Sequence, residues 1–66
     1  MSHDYQTYAT REAAQEAADK IRDWPSWETE QAYLPDDANA DAAGFVWLVC
    51  RTFTQRMYLR ADGTLS

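Results

Sequence analysis

The run Phe-Val-Trp-Leu-Val-Cys at residues 45–50 constrains the fold more than any other feature of this 66-residue chain. Alternation along a strand puts Phe45, Trp47 and Val49 on one side and Val46, Leu48 and Cys50 on the other. Both sides are apolar, so residues 45–51 read as a central strand that needs cover on two faces. Six apolar residues are too few to span a bilayer. A chain this short buries little surface and is marginal without reinforcement. Cys50 is the only cysteine and His3 the only histidine. An intrachain disulfide is therefore impossible, and a structural zinc site is not expected. Three Trp, four Tyr and two Phe supply the bulk instead, each able to bury ~150–250 Å².

The strongest local signal lies N-terminal to that strand. Thr10 is a good N-cap, and Glu12 suits the positive end of a helix dipole. Ala13, Ala14, Ala17, Ala18, Ile21 and Trp24 recur at spacings of three and four and share an arc of about 140°. An amphipathic helix is predicted over residues 10–24, stopped by Pro25, which disfavours helical geometry in the residue before it. Three further strands are predicted, at residues 4–9, 27–34 and 55–60. Mixed polarity places residues 27–34 at a sheet edge. Asp62-Gly63 marks a terminal turn.

The resulting order, β-α-β-β-β, predicts a single α+β domain: a four-stranded, mainly antiparallel sheet with one helix on one face. Ile21, Trp24, Val46, Trp47 and Leu48 are expected in the core. One helix covers one face. Two readings of the other face stand side by side. Either it is an exposed aromatic patch for a partner or a second copy, or residues 24–27 and the acidic connection at 35–43 fold over it.

Charge is unevenly distributed. The net charge is −5. Residues 1–43 carry ten acids and three bases, or −7; residues 44–66 carry one acid and three arginines, or +2. Such a chain repels nucleic acid and anionic membranes and suits a basic partner. Glu12, Glu16, Asp19 and Asp23 fall within an arc of about 60° opposite the apolar helix face and span roughly 16 Å. A solvated helix face has the same appearance, with Glu16–Lys20 and Asp19–Arg22 relieving the repulsion. Glu28, Glu30, Asp36, Asp37 and Asp41 extend the acidity.

Other motifs point away from chemistry. Asp37-x-Asn39-x-Asp41 opens like a calcium loop, but Ala42 and Leu48 stand where Gly and Glu are required; a turn with local side-chain bonds is expected. Cys50, within an apolar run, reads as a buried small hydrophobe. Carboxylates on an exposed helix are not expected to do acid–base catalysis, which favours buried or closely coupled groups. Neither an enzyme nor a cofactor is expected. Arg51, Phe53, Arg56, Tyr58 and Arg60 could stack on single-stranded nucleic acid, although pairing with the acidic half is the better use of these arginines. The lone cysteine and the absence of a basic-then-apolar leader suggest a cytoplasmic protein.

In length and charge the whole chain resembles small phage-borne anti-CRISPR proteins of the DNA-mimic kind. The resemblance rests on Glu12, Glu16, Asp19, Asp23 and the acidic stretch at 28–41, since that group shares no diagnostic motif. It implies a non-enzymatic inhibitor that binds a CRISPR surveillance complex, of type I and within it type I-C, and blocks target DNA. The basic last hairpin departs from the pattern. The alternative is a small adaptor or homodimer that uses the aromatic sheet face.

Overall fold

The computed structural model describes residues 4–21, 27–52 and 54–66. The order is α1 (Arg11–Lys20), β1 (Trp27–Tyr33), β2 (Phe45–Thr52) and β3 (Arg56–Tyr58). The strands form an antiparallel sheet in the order β1-β2-β3, with β2 central as its two apolar sides require. The α+β class and single helix agree with the sequence reading, but the sheet has three strands rather than four.

The missing strand has a structural cause. The edge of β2 away from β1 is occupied in succession. β3 takes Cys50 to Thr52, the Leu59 amide takes the Val49 carbonyl, and Tyr8 pairs with Trp47. Residues 4–9 are left with two isolated bridges, Tyr8 to Trp47 and Tyr5 to Arg60. Beyond β3 the chain turns at residues 61–63, and Leu59 bridges Leu65. The Asp62 carboxylate accepts from the Thr64 amide and hydroxyl, which closes the predicted Asp62-Gly63 turn.

Thr10 caps α1 as predicted, its hydroxyl accepting from the Ala13 amide at 3.1 Å. The helix is shorter than predicted. Ile21 is extended (φ −96°, ψ 94°), and its amide bonds the Ala18 carbonyl. This β-branched residue favours extended backbone and packs against the core instead of adding a turn. Residues 22–24 of the expected helix, with Asp23 and Trp24, lie outside the described residues.

Ala14, Ala18, Val49 and Leu59 form the core under the helix, with Tyr8, Ala17, Ile21, Trp27, Trp47 and Leu65 packed around it. The small alanines let the helix lie close to the sheet. Ile21 and Trp47, expected in the core, are half-buried, whereas Val46 and Leu48 are buried.

The opposite sheet face is covered. Val46, Leu48 and Cys50 are 0%, 3% and 0% exposed although, among the described residues, no helix lies over them. Thr7, one residue from the Tyr8–Trp47 bridge, shares their side of the sheet. Its hydroxyl donates to Asp37 and accepts from the Asn39 amide group. The connection between β1 and β2 therefore reaches across β2 to the segment on its far edge. Of the two readings of this face, the structure favours a covered one as far as the connection goes, and the connection is a series of turns; Trp27 packs on the helix side instead, and residues 24–26 lie outside the described residues.

Candidate functional site

The nine acidic side chains singled out above divide between different parts of the fold. Glu12, Glu16 and Asp19 lie exposed on α1, while Ala14 and Ala18 are buried. By helix rise, the regular part of the stripe is about 10 Å long. Its internal relief is slight: Lys20 stands 3.9 Å from Glu16 with both side chains about three-quarters exposed, and the Gln15 amide donates to Asp19 at 3.0 Å. A pair so exposed contributes little and leaves most of the field in place. Asp23 lies outside the described residues.

Glu28 and Glu30 belong elsewhere. They are opposite Cys50 and Leu48 in the β1–β2 register and so project from the sheet face away from the helix. There they meet Arg56, brought over Cys50 and Thr52 by the β2–β3 pairing. Arg56 Nε lies 3.0 Å from Glu30, Nη1 lies 3.3 Å from Glu28, and Nη2 donates to the Cys50 sulfur at 3.1 Å. The Tyr58 hydroxyl donates to Glu30 at 2.5 Å. All three guanidinium nitrogens are engaged, a use of the planar fork that lysine could not reproduce. This polar lattice caps the apolar residues beneath it. The hydrogen bond to Glu30, followed by burial, raises the Tyr58 pKa. Burial raises that of the Cys50 thiol despite the opposing effect of Arg56. A fully buried, protonated thiol is a poor nucleophile.

The acids of the connection mostly shape its turns. Asp37 Oδ1 accepts from the Asn39 amide and Thr7 hydroxyl; Asp41 Oδ1 accepts from the Ala43 and Phe45 amides. The local bonds expected of Asp37-x-Asn39-x-Asp41 are thus present. Asp36 is exposed. Among the described residues no three His, Cys, Asp or Glu side chains come together to hold a metal ion.

The basic cluster turns inward. Arg56 is committed to the lattice. Arg60 lies over the Tyr5 ring at 4.7 Å and 3.9 Å from Asp4, and Arg51 lies over Trp27 at 5.2 Å. Phe53 lies outside the described residues. Pairing with acids, the use expected for these arginines, accounts for Arg56 and Arg60.

Two features were missed by reading the sequence. A groove of about 710 Å³ runs beside α1, lined in part by Tyr8, Ala17, Ile21, Trp27, Leu59 and Leu65, with Glu16 and Lys20 also bordering it. The second is an aromatic pair, Tyr33 and Phe45. These are the large apolar side chains left exposed among the described residues, at 63% and 38%. They face one another at the end of the β1–β2 ladder, with ring centroids 5.5 Å apart at 64°. The cue for them was an aromatic residue at the facing ends of two strands, beside Pro35 and Gly44.

Among the described residues no helix is long and apolar enough to cross a membrane. No protein-family model, curated protein or solved structure matches the chain.

Proposed function

We propose that this protein is a non-enzymatic inhibitor that occupies a basic nucleic-acid-binding surface, acting as an anti-CRISPR protein that blocks target DNA from a type I surveillance complex, type I-C in the narrower reading. The observation that carries this is the state of the helix acids. Glu12, Glu16 and Asp19 sit exposed on a capped helix, where among the described residues one loose Lys20–Glu16 ion pair and a Gln15–Asp19 hydrogen bond are their side-chain contacts. A rigid row of carboxylates offers a cationic channel what a phosphate strand offers, without being a substrate. Complementary charge of this kind speeds encounter and is screened by salt.

The adaptor or homodimer alternative loses much of its surface, because Val46, Leu48 and Cys50 are buried. The test is competition. A purified type I-C surveillance complex is incubated with the protein and then with labelled target DNA. Dose-dependent loss of the DNA-bound band, weaker at higher salt, supports the inhibitor. Undiminished DNA binding at saturating protein rejects it.

A further inference from the structure

We infer that the Tyr33–Phe45 pair, with Asp41 beside it, is a receptor for an arginine side chain presented by a basic protein partner. The inference rests on the proposed function in taking that partner to be basic, and adds a specific anchor to its diffuse charge.

The molecule contains a completed version of the same arrangement. Arg60 lies over the Tyr5 ring at 4.7 Å while Asp4 stands 3.9 Å from its guanidinium. Aromatic face, carboxylate and arginine form one unit, the ring attracting the cation through its quadrupole and the acid supplying charge. At the end of the β1–β2 ladder the first two parts recur without the third. Tyr33 and Phe45 are exposed rings, and Asp41 is fixed beside Phe45 by accepting its amide at 3.0 Å. Both backbone amides that Asp41 receives go to Oδ1; Oδ2 accepts none among the described residues.

The pair is also built rather than incidental. Gly44 adopts φ +91°, and a Cβ there would lie 2.7 Å from the Tyr33 ring and 3.2 Å from Pro35. Glycine lets Tyr33 lie down against the turn, edge-on to Phe45. Rings held in place lose little entropy when a partner arrives, as in binding anchors generally. The Asp41 carboxylate favours a cation over a nucleobase. The site favours arginine over lysine because a guanidinium stacks and forks together.

The test uses nona-arginine and nona-lysine peptides as probes, titrated calorimetrically into the full chain at moderate salt. Three variants accompany the wild type: Tyr33→Ala/Phe45→Ala, Tyr33→Leu/Phe45→Leu, and Glu12→Gln/Glu16→Gln/Asp19→Asn. Thermal melts check that each folds, and the leucine pair keeps apolar bulk should the alanine pair unfold. The wild type should prefer nona-arginine. Both ring variants should bind it about two- to thirtyfold more weakly, the span of a cation–π contact, and lose the preference. Unchanged nona-arginine binding in the leucine variant overturns the inference, as does equal weakening toward both peptides. Wild-type self-association abolished by the ring variants would also overturn it, by assigning the pair to a second copy. If only the helix variant weakens, the inference fails while the inhibitor reading stands; that reading is tested separately by DNA competition.

Discussion

Acidic residues do opposite things on the two sides of this sheet. On the helix side Glu12, Glu16 and Asp19 face solvent, with a loose Lys20 contact and a glutamine amide for company. On the far side Glu28 and Glu30 share Arg56, and Glu30 also accepts from Tyr58. The first set projects a field; the second is largely neutralised and seals Leu48 and Cys50. The net charge of −5 therefore misstates what a partner would meet. A count of acids does not say where charge stays exposed; the placement of the bases does.

The sharpest way to break this comparison is to ask whether both faces are cores. Leu59→Ala beneath the helix and Leu48→Ala beneath the lattice should each cost about 2–5 kcal/mol in chemical denaturation. Loss from Leu59 alone would mean that the lattice covers nothing of consequence.

Next in size is the lattice itself. Arg56→Ala strands two carboxylates and uncovers the thiol. A loss of about 1–2 kcal/mol is expected, held down by the solvent contact that the partners retain. Glu16→Gln and Asp19→Asn on the helix should change stability by less than about 0.5 kcal/mol. Equal losses on both sides would remove the distinction.

Alkaline pH should separate the lattice from the helix acids more gently. Tyr58, Cys50 and Tyr8 all have raised pKa values, from ordinary values of 10.0, 9.0 and 10.0. Each is neutral when protonated, and the native state holds the proton more tightly than the unfolded chain. The stabilisation is complete below the ordinary value and is lost as pH rises through the folded one. Denaturation midpoints should fall from about pH 9 upward. Tyr58→Phe should flatten that fall, and the helix substitutions should leave it unchanged.

What was legible in the sequence was local. Thr10 as a cap, alternation through residues 45–50, the edge character of residues 27–34 and the Asp62-Gly63 turn depend on neighbours along the chain. What was not legible depends on partners far away. Arg56 reaches acids 26 and 28 positions earlier, a pairing set by the β2–β3 register, and the turn before β3 contains no glycine or proline to fix that register. The shortfall of residues 4–9 as a strand has the same origin. Tyr5 and Tyr8 have strand propensity, yet Tyr8 reaches the β2 edge only at Trp47, because β3 and Leu59 hold the stretch beyond it. Among the candidate site residues, the exposed helix stripe followed from the wheel. That Glu28 and Glu30 lie on the other face could be read only after the helix was placed on one side.

If the proposed inhibitor binds through its helix, the acids of α1 and not those of the lattice meet the partner. Two variants are compared, Glu12→Lys/Glu16→Lys/Asp19→Lys on the helix and Glu28→Lys/Glu30→Lys on the lattice. The measurement is the association rate with an immobilised type I-C surveillance complex across a salt series, with a melt of each protein alongside. The helix variant should keep the wild-type melting temperature, associate at least tenfold more slowly and lose most of its salt dependence, since steering by complementary charge can change rates by ~10-fold or more. The lattice variant should melt earlier and, where still folded, associate at close to the wild-type rate. A helix variant that binds as fast as wild type, with the lattice variant folded but slow, would contradict the account and move the binding surface to the other side of the sheet.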